Sequence, residues 1–175
     1  MRGRIILSHG ADSSPDATKV SALAALAGSL GWDTHRPDHR SDDARGLAGS
    51  VAPRIARLRA SIEACAVPPV LVGSSLGAFA AGLASLEAPV AGLFLLAAPS
   101  GIPGYPRPLD LREGVPALLI HGWRDEVCPL DGVQAFAARR RLPLLVLDDD
   151  HRLTGSMEMI AAQFRHFLAT LVVAA

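Results

Sequence analysis

Val70-Leu71-Val72-Gly73-Ser74-Ser75-Leu76-Gly77-Ala78 carries the reading of this chain. Its first three residues are an apolar β-type run. After Gly77, Ala78, Ala80 and Ala81 begin a small-residue helical pattern that reaches Glu87. Between the two lies Gly73-Xaa-Ser75-Xaa-Gly77. A serine on so sharp a strand-to-helix turn stands with its Oγ above the sheet edge. Strand and helix then approach closely, and side chains two residues to either side would collide. Glycine at 73 and 77 removes that collision. The alternative is a tight β-to-α turn with glycine at both ends and no chemistry.

Outward from this segment, short apolar runs alternate with helical patterns. Strands are expected over 4–7, 33–36, 70–72, 90–96, 117–120 and 144–147. Helices are expected over 15–30, 50–65, from after Gly77 to about 87, 130–141 and 156–172. In the first helix Ser14 is placed to cap, Pro15 suits the first turn and Gly31 stops it. Val20, Leu23, Ala24 and Ala27 supply its apolar face, and Val51, Ile55, Leu58 and Ile62 that of the second, with Arg54, Arg57 and Arg59 read as turned away. The polar stretch 38–49 and the Pro- and Gly-rich stretch 99–114 read as loops. Strands alternating with helices of this length imply an α/β fold, a sheet of about six mostly parallel strands with helices on both faces.

Composition narrows the class. The 175 residues are one domain's worth, here read as 1–175, and 50% are hydrophobic. Seventeen Lys+Arg balance seventeen Asp+Glu, which argues against disorder and against a nucleic-acid partner, whose binding needs a basic stripe. Two cysteines make no disulfide framework, and the reading is a reducing, cytoplasmic setting. Both are read as packing residues, Cys65 buried at a helix end and Cys128 close to Asp125. Three apolar residues after Arg4 are too few for a signal-peptide core, and no run approaches a membrane span, so no membrane partner is expected.

Ser75 needs a base. Of six histidines, His151 is placed best. It follows the last strand, and catalytic groups gather at the carboxyl ends of parallel strands. His9 and His121 each end a strand before a glycine and are read as structural hydrogen-bonding residues. His35, His39 and His166 are read as surface or packing groups. Asp125, after the fifth strand, is the expected orienting carboxylate. Glu126 and the run Asp148-Asp149-Asp150 compete, but the run adjoins His151 too closely to reach its Nδ1. Acyl transfer also needs oxyanion donors. One is the backbone N–H of Leu76. The other belongs to the loop Ser8-His9-Gly10-Ala11-Asp12, with Ala11 expected and Asp12 the alternative.

His9-Gly10, Gly73-Ser74-Ser75-Leu76-Gly77, His121-Gly122-Xaa-Xaa-Asp125 with Pro129, and the late His151 together resemble a serine α/β-hydrolase. The likeness is to small, lid-less members, similar to the dienelactone-hydrolase and carboxylesterase groups, although serine stands where true dienelactone hydrolases have cysteine. The resemblance implies a reduced α/β-hydrolase fold without a cap domain and a Ser75–His151–Asp125 triad. It implies cleavage of a small ester through an acyl-enzyme, with no cofactor and no metal. A thioester substrate fits the same mechanism, and a catalytically silent binding protein of the same fold is the rival from another class. A metal-dependent hydrolase would need clustered ligands, and the histidines are scattered. Ile102, Tyr105 and Leu109 are candidates to roof an acyl pocket, with Asp12, Trp123, Leu153 and Met157 along its lining or rim.

Overall fold

The computed structural model describes residues 2–171. The elements run β1 (Arg4–Ser8), α1 (Thr18–Ser29), β2 (Asp33–His35), α2 (Arg40–Asp43), α3 (Gly46–Glu63), β3 (Val70–Ser74), α4 (Leu76–Glu87), β4 (Gly92–Leu96), β5 (Ala117–Gly122), α5 (Leu130–Arg140), β6 (Leu144–Leu147) and α6 (Met157–Thr170). The sheet order is β2-β1-β3-β4-β5-β6, and every pairing is parallel. The order reverses between β1 and β3. The chain steps outward to β2 on one side and to β4 on the other, which opens a crevice at the carboxyl ends of β1 and β3.

The period of two along each strand feeds two cores. Ile6, Leu71, Leu93, Leu95 and Leu119 face one layer, where they pack with Phe79, Leu83 and Leu58. Ile5, Leu7, Val70, Val72, Phe94, Leu96 and Ile120 face the other, with Leu23, Phe164 and Phe167. Both faces of the central strands are covered, which is why β3 and β4 read as unbroken apolar runs. The expected face of α1, Val20, Leu23, Ala24 and Ala27, is buried, as are Val51, Ile55, Leu58 and Ile62 of α3.

Several expectations are corrected. Helix α1 starts at Thr18, and Ser14 caps no helix. Its Oγ instead accepts the Asp16 N–H at 3.2 Å and its carbonyl the Ala17 N–H at 3.1 Å, closing a turn before α1. The stretch 38–49 is not one loop: it contains α2 and the first turn of α3. Pro53 lies inside α3, where its missing N–H leaves one intrahelical bond unmade. The pairs Arg54–Asp43 and Arg57–Asp42 tie α2 onto α3. Arg54 is not turned away, because its side chain is fully buried. His39, read as a surface group, is fully buried as well. Cys65 is half-buried rather than enclosed, whereas Cys128 is buried. The expected end of the last helix at Val172 lies outside the described residues. Among the described residues no helix is long and apolar enough to cross a membrane, and no helical cap interrupts the connection from β4 to β5.

Candidate active site

Ser75 follows β3 with φ 55° and ψ −124°, a conformation that L-residues enter at a cost of about 1–3 kcal/mol. The surroundings hold it there. Its N–H donates to Leu96 O at 2.8 Å, and its carbonyl accepts Ala78 N–H at 2.9 Å and Phe79 N–H at 3.1 Å. The flanking glycines are needed as the sequence implied. A Cβ on Gly73 would stand 2.5 Å from Ala78 Cα, and one on Gly77 would strike the carbonyls of Ser8 and His9. Gly77 therefore presses the start of α4 against the loop after β1. A Cβ on Gly10 would lie 3.4 Å from Ser75 Cβ, so that loop and the elbow face each other directly.

His151 arrives on the loop after β6. Gly122 makes room for it, since a Cβ there would be 2.5 Å from Asp149 O and 2.7 Å from Asp150 O. The loop is stapled to the end of β5 by Trp123 N–H to Leu147 O at 2.9 Å and Arg124 N–H to Asp149 O at 3.0 Å. The Lys19 ammonium donates to His151 O at 3.2 Å from the other side. The His151 ring then bridges two partners. Nε2 lies 3.0 Å from Ser75 Oγ and Nδ1 lies 2.8 Å from Asp125 Oδ2.

Asp125 ends the turn after β5, and its side chain is fully buried. Its Oδ1 accepts Val127 N–H at 3.0 Å and Cys128 N–H at 2.7 Å. Oδ2 faces His151 Nδ1 and, at 3.2 Å, His121 Nε2. A carboxylate surrounded by donors is an acceptor only, which puts the His151 ring proton on Nδ1 and leaves Nε2 free to accept from the Ser75 hydroxyl. The structure thus joins Ser75, His151 and Asp125 in a Ser–His–Asp triad. The competitors fall away: Glu126 is exposed, and Asp148 pairs with Arg124.

Buried histidines surround the triad. His9 Nδ1 donates to Gly10 O at 2.8 Å, and its Nε2 accepts His39 N–H at 3.0 Å. Burial pushes His9 below the usual histidine range, and burial with the Arg54 charge brings His39 down to about 3. His121 is lowered by burial too, and its Nε2 lies 2.6 Å from Cys128 O. His9 and His121 therefore have the hydrogen-bonding roles expected of them.

A cavity of 440 Å³ opens beside Ser75, lined by Gly10, Ala11, Asp12, Lys19, Val127 and Arg152 among others. Asp12, expected along a substrate pocket, is among the residues lining this cavity. The remaining proposed lining is corrected. Tyr105 packs edge-on against Phe79, Ile102 and Leu109 are buried in the core, and Leu153 is fully buried in the other core with Met157 against it. Trp123 is 62% exposed and stands outside the cavity lining. Ile102, Leu109 and Leu153 find partners in the core, whereas mostly small and charged residues are left to frame the opening. Ligand atoms of Asp125, Cys128 and His151 lie within 4.8 Å of one another. The hydrogen bond between Asp125 and His151 occupies the space a cation would take there, and burial pushes the Cys128 thiol up to about 11, away from the thiolate a metal needs.

No family model and no curated protein sequence matches this chain. Solved structures do. A protein of Xanthomonas campestris pv. campestris assigned to the hydrolases of the alpha/beta superfamily is 41% identical, with 97% of this chain and 99% of that chain covered and a TM-score of 0.91. An alpha-beta serine hydrolase homologue from Coxiella burnetii is 22% identical over 95% of this chain and 85% of that one, with a TM-score of 0.75. An a/b serine hydrolase without lid, also from Xanthomonas campestris, is 16% identical over 98% and 84%, with a TM-score of 0.68.

Proposed function

This chain belongs to the α/β-hydrolase superfamily and is a serine hydrolase, and from that premise we propose that it cleaves a small ester through an acyl-enzyme, residues 1–175 acting as one catalytic domain. The observation that carries the reading is the unbroken relay from Ser75 Oγ through His151 to Asp125, at 3.0 and 2.8 Å. In this reading His151 Nε2 takes the Ser75 proton as Oγ attacks the carbonyl carbon. Asp125 holds the resulting imidazolium in orientation and stabilises its charge. The negative oxygen of the tetrahedral intermediate is met by the N–H of Leu76, which as the first residue of α4 has no intrahelical acceptor, and by that of Ala11. Collapse expels the alcohol, protonated by His151. Water then gives its proton to His151 and attacks the acyl carbon, releasing the acid and restoring Ser75.

The open cavity and the absence of a cap among the described residues favour a short acyl chain. Two free cysteines support a reducing, cytoplasmic setting. The test is hydrolysis of p-nitrophenyl acetate, with a matched short-chain thioester alongside, by the wild type and Ser75→Ala. The expected result is turnover of the ester by the wild type and a loss of at least about 10³-fold in kcat in the variant. Full activity in folded Ser75→Ala, or a wild type that neither hydrolyses the ester nor takes a fluorophosphonate label at Ser75, would overturn the proposal.

A further inference from the structure

The largest fully buried side chain on the face of α3 is an arginine. Arg54 reaches across to the loop after β1 with its guanidinium spread between two kinds of acceptor. On one side Nε and Nη2 grip the Asp43 carboxylate at 2.8 and 2.7 Å. On the other, Nη1 donates to His9 O at 2.6 Å and Nη2 to Gly10 O at 3.0 Å. The Asp43 side chain is 10% exposed, so the pair is withdrawn from water almost completely. Neither charge nor packing demands this geometry, because a buried ion pair replaced by apolar groups of like volume is often neutral in stability. What the arginine does specifically is hold two consecutive carbonyls of the loop that faces Ser75.

In a trans peptide the C=O of one residue and the N–H of the next point in opposite directions. The Gly10 carbonyl is turned toward Arg54, and so the N–H of Ala11 is turned away from it. Ala11 lines the same cavity as Ser75, and Gly10 packs against Ser75 itself. We propose that Arg54, oriented by Asp43, is a positioning residue for the oxyanion site: it fixes the His9–Gly10–Ala11 backbone so that the Ala11 N–H is aimed into the cavity before substrate arrives. Charge-assisted bonds to the two carbonyls also polarise their peptide units and make the attached N–H groups stronger donors. Lysine could not do both. Its single ammonium has no planar fork to span a carboxylate and two carbonyls at once. His9 assists from within the loop, its Nδ1 donating to the same Gly10 oxygen at 2.8 Å.

The inference rests on the ester-hydrolysis reading for its kinetic arm, and its second arm is independent of turnover. Arg54→Lys keeps a positive charge beside Asp43 while removing the fork. On p-nitrophenyl acetate its kcat is expected to fall about tenfold or more with KM within about twofold, as for loss of a transition-state donor. The inhibition constant of a short trifluoromethyl ketone, whose hemiketal oxygen takes the oxyanion position, is expected to rise by the same factor. In the ligand-free protein the Ala11 amide resonance is expected to shift between wild type and Arg54→Lys, whether or not the wild type hydrolyses esters. If Arg54→Lys fails to fold, the double variant Arg54→Met with Asp43→Leu replaces the pair by apolar groups and is read in the same three ways. A folded variant whose kcat stays within about threefold of wild type, whose loss is confined to KM, or whose Ala11 amide does not move overturns the assignment.

Discussion

His121 and His151 converge on one oxygen of Asp125, the first with Nε2 at 3.2 Å and the second with Nδ1 at 2.8 Å. The other oxygen is taken by the N–H groups of Val127 and Cys128. The carboxylate is thus fixed by three donors, with the His121 ring, whose Nε2–H donates to Cys128 O, packed against its second oxygen, and it can turn in neither direction. An Asn at this position must present its NH₂ to donors whichever way it is flipped. Asp125→Asn should lower kcat about 10⁴-fold through the wrong His151 tautomer. His121→Phe should keep far more activity, because His151 retains its acceptor, while losing about 1–3 kcal/mol of stability from the unpaired Cys128 carbonyl. Steady-state kinetics and urea unfolding of the two variants check the order, and equal kinetic losses would contradict it.

The strain at Ser75 gives a second prediction. At φ 55° and ψ −124° glycine is relaxed and alanine is not. Ser75→Gly should therefore be more stable than Ser75→Ala by about 1 kcal/mol, with both inactive. Urea midpoints read the difference, and an alanine variant as stable as the glycine one would mean that the elbow carries no strain.

Close backbone approach at two glycines gives a third. Gly77→Ala and Gly122→Ala would press a methyl group against fixed carbonyls, those of Ser8 and His9 and those of Asp149 and Asp150. Each should cost on the order of 1–3 kcal/mol and displace a loop that the triad or the oxyanion site depends on. Gly28→Ala is the contrast. Gly28 lies within α1, and a Cβ there meets nothing within 4 Å, so the substitution should stabilise by about 0.5–1 kcal/mol. Thermal unfolding of the three variants tests the signs.

Acid sensitivity is a fourth. His9, His39 and His121 are held below their usual range, chiefly by burial, His39 at about 3. Below about pH 6.5 the unfolded chain binds protons at these rings and the native state does not, so stability falls as the pH drops. The contribution is complete above the unfolded value. For each ring it declines by about 1.4 kcal/mol per pH unit until the folded value is reached, near pH 3 for His39. Urea midpoints at pH 8, 7, 6 and 5 should descend in that direction, with a shallower slope in His39→Gln. A flat profile from pH 7 to 5 would show these rings to be protonated in the native state.

The cysteines give a fifth. Burial raises the Cys128 thiol to about 11, so it is overwhelmingly protonated at pH 8, whereas Cys65 is half-buried at the end of α3. Iodoacetamide at pH 8 should modify Cys65 first, with peptide mapping as the readout. Faster labelling of Cys128 would require an open thiolate beside the triad.

Much of the site was legible because its signals are local. Gly73, Ser75 and Gly77 lie within one turn, and the alternation of strands and helices puts Ser75, Asp125 and His151 on the same edge of the sheet. Arg54 was equally legible by position. It stands three residues after Val51 and four before Leu58, on the apolar stripe of α3. Its residue type hid it, since arginine is almost never fully buried without a partner, and the partner, Asp43, belongs to a four-residue helix with no periodicity of its own. The acyl-pocket residues went the other way. Ile102, Tyr105, Leu109 and Leu153 look like pocket lining by type, and the core claims all four.

The amino-acid sequence by itself determined the parallel α/β framework, the strained serine turn and the order of serine, aspartate and histidine along it. Apolar periodicity, glycine placement and strand order are properties of neighbours along the chain. Only the tertiary structure decided that Arg54 turns inward to the His9 and Gly10 carbonyls, that His39 is buried beneath the same loop, and that mostly small and charged residues frame the cavity. Those outcomes depend on which distant acceptor satisfies a buried charge and which apolar side chain reaches the core, and both are settled by packing between elements that the sequence holds far apart.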